Sequence, residues 1–290
     1  MMKIKNSKSK FAYPYIVWSA IFVVIPLFLV VYYSFTKEVN GEIVFTLDNF
    51  KSVLDPIYLS VFWRSILISG GATLACILIG YPVAYIISKA PISKRGTLIL
   101  LFILPMWMNF LLRTYSWASI LGQNGLLSSF LGLFGIEYRS ILYTPFAVLL
   151  GMVYNFLPFM VLPIYTSLSK MDHDLIYAAH DLGANNFTVF RKIIFPLSLP
   201  GVFSGITMVF MPSITSFAIS RLLGGGKTML IGDLIEQQFT VVGDWNFGSA
   251  ISIFLMIVIL ISMSIMSKMD DGSGEGGMVC LLYTSPSPRD

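Results

Sequence analysis

Long apolar runs separated by short polar connections set the pattern of this chain. A helix that crosses the roughly 30 Å of bilayer hydrocarbon needs about 20 mostly apolar residues, because every backbone N–H and C=O must be satisfied inside the segment. Six runs fit: Ala12 to Ser34, Ser65 to Ser88, Thr97 to Leu112 with an extension toward Leu121, Leu142 to Thr166, Leu197 to Ser220 and Phe247 to Ser267. The pattern predicts an all-α membrane protein with six transmembrane helices. The first run is longer than the 7–15 residues of a signal-peptide core and lacks a small-residue cleavage site, so it reads as a retained span.

The connections differ in charge. Lys3, Lys5, Lys8 and Lys10 precede the first span, Lys89, Lys94 and Arg95 lie in the second connection, and Lys170, Arg191 and Lys192 lie in the fourth. Cytoplasmic loops carry the excess of Lys and Arg, so these regions and both termini are expected inside the cell. The other connections, with Glu38, Glu42, Asp48, Asp55, Glu137, Asp233, Glu236 and Asp244, are expected outside. The predicted organisation is a cytoplasmic arm over residues 1–11, one six-span membrane domain over 12–267 with a polar cytoplasmic segment at 170–196, and a flexible tail over 268–290. The last ten or so residues of that tail share no composition with the rest and are excluded from the fold as a sequence artefact.

Composition narrows the chemistry. Of 290 residues, 56% are hydrophobic and 12% charged, and a net charge of +4 is too small to point to nucleic acid. The six apolar cores hold no Asp, Glu, Lys, Arg or His, which argues against a proton relay inside the membrane. Sodium coupling through carbonyls at broken helices is less well excluded, since Pro82, Pro105, Pro158, Pro163 and Pro212 are placed either to interrupt spans or to kink them. His173 and His180, the only histidines, have no carboxylate or cysteine array at metal-ligand spacing. LLGGGKT at Leu222 to Thr228 fails as a phosphate-binding loop, because Arg221 stands where that pattern requires glycine.

The stretch YAAHDLGANNFTVFRKIIFPLSLP, Tyr177 to Pro200, is the polar exception between two spans. Leu175, Ala178, Ala179 and Leu182 recur at helical spacing, which predicts a short helix across the membrane face. Gly183 is expected to turn the chain, a second short helix to pass through Phe187 and Phe190, and Pro196 and Pro200 to set the angle of the fifth span. By itself the pattern also fits a plain interfacial loop. The spacing resembles the cytoplasmic signature of ABC importer permeases: Ala178 and Ala179 match its alanine pair, Gly183 its glycine, Ile193 its isoleucine and Pro196 its proline. Tyr177 stands where the signature has Glu, and Phe195 where it has Leu.

The likeness extends over most of the chain. FTLDNFKSVLDPIYLSVFWRSI (Phe45 to Ile66), LPMWMNFLLRTYSW (Leu104 to Trp117), NGLL (Asn124 to Leu127) and LLGGGKTMLIGDLIEQQF (Leu222 to Phe239) are similar to the spermidine/putrescine importer permeases, specifically the first of their two unlike permeases. That resemblance implies type I ABC importer permease architecture in a bacterial inner membrane and no enzymatic activity or cofactor in this chain. ATP and Mg would bind a cytoplasmic ATPase homodimer docked on Tyr177, Ala178, Ala179, Gly183, Ile193 and Pro196. The other implied partners are a second six-span permease and an extracytoplasmic binding protein. Trp107, Arg113, Met211, Ser213 and Ser216 are candidates for the translocation path. Asp48, Asp233, Asp244 and Trp245 are candidates for first contact with a cationic solute, whose ammonium groups favour carboxylates and aromatic faces. Trp and Tyr also gather at membrane interfaces whatever the substrate. Two alternatives stay open: the permease of a related importer for sulfate, iron or phosphate, and a self-contained secondary transporter.

Overall fold

A computed structural model describes residues 13–39 and 42–270. The predicted amino-terminal arm and the tail beyond Asp270 lie outside the described residues. The helices are α1 (Pro14–Ser34), α2 (Asp48–Val53), α3 (Pro56–Lys89), α4 (Ile92–Ile103), α5 (Phe110–Leu121), α6 (Leu126–Gly132) and α7 (Pro145–Ser169). They continue with α8 (His173–Asp181), α9 (Asn186–Thr215), α10 (Ala218–Gly224), α11 (Ile231–Gln237) and α12 (Trp245–Asp270). One antiparallel hairpin, β1 (Thr36–Val39) with β2 (Glu42–Phe45) in the register Thr36↔Phe45, interrupts an otherwise helical chain. Among the described residues, five helices are long and apolar enough to span a bilayer, and a bent pair makes a sixth if it is counted as one span.

The bent pair corrects the third predicted span. Ile92–Trp107 and Phe110–Gly132 meet at 87°, so the run Thr97 to Leu121 is not one straight helix. Pro105 tightens the end of α4 into a 3-10 turn, Leu104–Trp107, and Met108 is extended. Asn109 then starts α5 afresh, its Oδ1 accepting from the amides of Leu111 at 2.9 Å and Leu112 at 3.2 Å. That side chain satisfies two of the amide donors that a new helix leaves without partners. The fifth predicted span also shifts: α9 begins at Asn186, inside the polar segment, and stops at Thr215, with Ser216 extended before α10.

The other prolines kink or accommodate. Pro82, Pro158, Pro163, Pro200 and Pro212 all lie within helices. Two π turns, Ala20–Val24 in α1 and Phe190–Ile194 in α9, each end just before a proline. The amide of Ile25 reaches back to Ala20 and that of Phe195 to Phe190, opening the turn where Pro26 and Pro196 can give no amide and would crowd the carbonyl four residues earlier.

The chain forms two compact units. The first takes in the chain up to Ser60 together with Leu234–Val258. Two asparagine amides hold the end of α1 there. Asn49 Nδ2 donates to the carbonyls of Ser34 at 3.1 Å and Thr36 at 2.9 Å, and Asn246 Nδ2 donates to that of Thr36 at 2.7 Å. Phe35 packs on Phe45 and Phe50, and the body of α1 is exposed.

The second unit, built chiefly from Val61–Asp233, has α7 at its centre. Glycines let its neighbours come close. Gly71 and Gly80 on α3 face Leu149, Met160 and Val161, while Gly201 and Gly205 on α9 face Pro163 and Met160. A Cβ on Gly201 would lie 2.6 Å from the Pro163 carbonyl oxygen and 3.1 Å from Ile164 Cα, so the backbones themselves touch. Gly201→Ala is therefore expected to lower the melting temperature of the detergent-solubilised protein, by the roughly 1–3 kcal/mol typical of overpacking. Gly96→Ala, which meets nothing within 4 Å and lies inside a helix, should not lower it and is expected to raise it slightly.

Candidate coupling segment and translocation path

Local caps fold the polar segment into the predicted first short helix, but the predicted second one is no separate element: it is the start of the 30-residue helix α9. Asp172 accepts from the amide of Asp174 at 2.9 Å to start α8. At the other end Gly183 takes φ +81°, and the amides of Gly183 and Ala184 return to the carbonyls of His180 at 2.9 Å and Ala179 at 3.0 Å. This paired closure of a helix end needs a left-handed residue, which glycine supplies without strain. His180 Nδ1 lies 3.0 Å from the Ala184 carbonyl; that oxygen only accepts, so the ring nitrogen carries the proton. Asn185 accepts from Thr188 at 2.8 Å and opens α9.

The caps divide the side chains between two faces. Ile176, Ala179, Ala184, Phe190 and Ile193 pack against the core, and Val189 and Ile194 are buried in it. Tyr177 is 65% exposed, Leu182 89% and Phe187 70%, with Leu175 and Ala178 beside them. The predicted stripe thus splits, Ala179 turning inward and Ala178 outward. Large apolar side chains held outward on a capped segment form an exposed apolar surface, of the kind that meets a partner protein or the membrane interface.

The candidate path residues fall into two local groups. Trp107, 81% exposed, ends the 3-10 turn of α4, and Arg113 lies just beyond the break. Arg113 is buried: Nη1 donates to the Pro105 carbonyl at 2.8 Å, and the guanidinium stands 5.6 Å from the centroid of the Tyr154 ring. Trp117, one turn on, meets the same ring edge-on at 5.2 Å. Arg113 thus ties together the two legs of the broken span across their bend. Met211, Ser213 and Ser216 belong to the end of α9. Ser213 is fully buried and donates to the Val209 carbonyl at 2.7 Å, Met211 is half-buried, and Ser216 sits in the break before α10.

Each of the three candidate carboxylates, Asp48, Asp233 and Asp244, has a local partner. Asp48 lies 3.2 Å from Lys51 Nζ, whose hydrogen bond, with that of Thr46, holds the carboxyl below its usual range. A lowered pKa means this pairing persists at neutral pH and is lost only as pH falls through that value. Asp233 accepts from the amide of Leu230 at 3.1 Å and Asp244 from that of Phe247 at 2.9 Å. Trp245 lies between Tyr33 at 6.3 Å and Phe239 at 5.5 Å.

Other residues were not singled out from the sequence. Asn155 sits buried in the middle of α7, its Nδ2 donating to Gly151 at 2.8 Å, and Tyr154 beside it receives both Arg113 and Trp117. The polar signal was present in VYNFLPF but is uncharged. The LLGGGKTM loop has a packing role. Gly225 and Gly226 take φ +55° and +76°, and a Cβ on Gly225 would overlap the ring of Tyr143. Tyr143 is itself left-handed at φ +66°, and its amide donates to Leu223 at 2.8 Å. A bulky residue takes that conformation only when its surroundings fix it.

The family described as "binding-protein-dependent transport system inner membrane component" matches residues 81–271, the stretch that holds the polar segment, the α7–α9 contact and the broken span. The chain belongs to that family. It is 40% identical over 265 residues to the spermidine/putrescine transport system permease protein PotB of Haemophilus influenzae, covering 89% of this chain and 92% of that one. To PotB of Escherichia coli it is 42% identical over 246 residues, covering 83% and 90%. Its fold matches the crystal structure of a bacterial ABC transporter that imports the acidic polysaccharide alginate, with TM-score 0.78 over 94% of this chain and 98% of that one, at 15% identity. It also matches the MetNI methionine ABC transporter, with TM-score 0.57 over 76% and 99%, again at 15% identity. The permease fold, a multi-pass membrane protein, is thus established.

Arg113→Met should lower the melting temperature of the purified permease, in keeping with roughly 1.5–3 kcal/mol for a hydrogen bond to a charged group. Arg113→Lys should recover only part of the loss, because an ammonium cannot both reach the carbonyl and stack as a plane. Wild-type melting in Arg113→Met would contradict the tie across the bend.

Proposed function

We propose that this chain is a membrane-spanning permease subunit of an ATP-driven importer that translocates polyamine, spermidine or putrescine, delivered by an extracytoplasmic binding protein. The observation that carries the coupling part is the outward apolar edge of the polar segment, Leu175, Tyr177, Leu182 and Phe187, held by glycine and side-chain caps at the spacing of the ABC importer signature. The polyamine assignment is supported by 40–42% identity to PotB proteins over most of both chains.

In this reading the segment faces the cytoplasm of a bacterial cell, both termini are inside, and the membrane is the inner one. A homodimer of ATPases, which holds ATP and Mg, docks on Tyr177, Ala178, Gly183 and Pro196, while Ala179 and Ile193, which pack inward, seat the segment on the core. Closure of that dimer displaces the segment and switches the spans between inward-facing and outward-facing states. A second six-span permease completes the path. Selectivity rests with the binding protein, and this chain contributes aromatic faces, carbonyls at the breaks after Trp107 and Thr215, and outer acids to a cation's passage.

Reconstituted with its partners, the complex should take up polyamine only with ATP inside and a loaded binding protein outside. Uptake by this chain alone on an ion gradient would establish a secondary transporter, and ATPase stimulation by a sulfate, iron or phosphate binding protein but not a polyamine one would overturn the substrate. Gly183→Pro should insert in the membrane yet fail to co-purify the ATPase, since proline fixes φ near −65° where the turn needs a positive value. Co-purification at the wild-type level would count against this docking surface.

A further inference from the structure

Where the coupling segment returns to the membrane, four aromatic rings meet. Tyr81 and Tyr85 stand one turn apart on α3. Phe190, the first residue of the π turn in α9, meets Tyr81 at 5.9 Å and 90° and Tyr85 at 5.7 Å and 81°. Phe195, at the other end of that turn, meets Tyr81 at 5.9 Å. A polar tie runs through the same cluster. Ser198 Oγ donates its one proton to the Phe195 carbonyl at 2.9 Å, so at 2.8 Å from Ser198 Oγ it is the buried Tyr81 hydroxyl that donates.

Packing alone does not require this hydroxyl, since a phenylalanine ring would fill the same place. A hydrogen bond in a water-free interior fixes distance and direction in a way that ring contacts do not. Its position is informative as well. The π turn departs from regular α geometry on the path from the segment into α9, with a hydrogen bond spanning five residues in place of four. Tyr81 bonds beyond it at Ser198 and touches both of its ends at Phe190 and Phe195, so it braces the turn against α3.

We infer that Tyr81 is a positioning residue of the transport cycle: it fastens α3 to the root of the coupling segment, so that displacement of the segment moves the α3 span and is not absorbed in the π turn. The inference rests on the proposed function and adds to it a named route from the docking surface to a span other than α9.

The test uses the full complex of ATPase, both permeases and binding protein in liposomes, with polyamine uptake and ATP hydrolysis measured together. Tyr81→Phe is expected to keep ATP hydrolysis near the wild-type level while uptake per ATP falls roughly fivefold, the factor that one ordinary net hydrogen bond supplies. Ser198→Ala should reproduce the drop, and the double variant should add little, because both remove the same bond. Tyr85→Phe, which keeps the ring against Phe190, should couple normally. An unchanged ratio in both Tyr81→Phe and Ser198→Ala, or uptake and hydrolysis falling in step, overturns the inference. If Tyr81→Phe does not assemble, Ser198→Ala alone decides. Lack of ATP-driven uptake by the wild-type complex overturns the functional reading and this inference with it, and that failure is distinct because it appears before any variant is compared.

Discussion

A backbone amide or carbonyl left bare in hydrocarbon costs several kcal/mol, and the irregular points of this fold follow from avoiding that loss. Wherever a helix stops or bends, a specific group takes over the hydrogen bonds. Asn109 restarts the broken span, Arg113 takes the Pro105 carbonyl across the 87° bend, and Asn49 and Asn246 cover the carbonyls that end α1. The π turns before Pro26 and Pro196 answer the same constraint from within the backbone. At these breaks, polar side chains and opened turns supply the hydrogen bonds that the helix no longer does.

The architecture was legible in the sequence to the extent that it depends on length and hydropathy. Spans α1, α3, α7 and α12 lie where the apolar runs lie, because a run of that length has no other stable state in lipid. Of the misplaced helix ends, those near Trp107 and Thr215 occur where the apolar pattern is uninterrupted, whereas α3 and α9 begin earlier than predicted, at Pro56 and Asn186. Hydropathy does not register a proline that tightens a turn or a serine left extended. The hairpin Thr36–Phe45 escaped for a related reason: its eight paired residues sit in a connection read only for charge.

The coupling segment was legible at finer grain because its determinants are local. Gly183 needs a positive φ, Asp172 and Asn185 cap the helices that follow them, and each interaction closes within a few residues. Arg113 and Asp233 were found as charges, but their partners depend on how the chain turns at a bend or a helix start. Tyr154 was missed because its meaning comes entirely from α5, some forty residues earlier in the chain. For the same reason LLGGGKTM was recognisable as a signature before it was explicable: its glycines answer to Tyr143, which no spacing within the motif reveals.

The exposed edge of the coupling segment also bears on how the protein must be made. Leu182 and Phe187 remain bare in any copy of the chain that has no partner over them. Uncovered apolar surface of this kind is what chaperones retain and membrane proteases remove, and it drives association when copies accumulate. The side chains that give the polar segment its outward apolar edge are therefore the place where crowded copies of the chain would first adhere to one another.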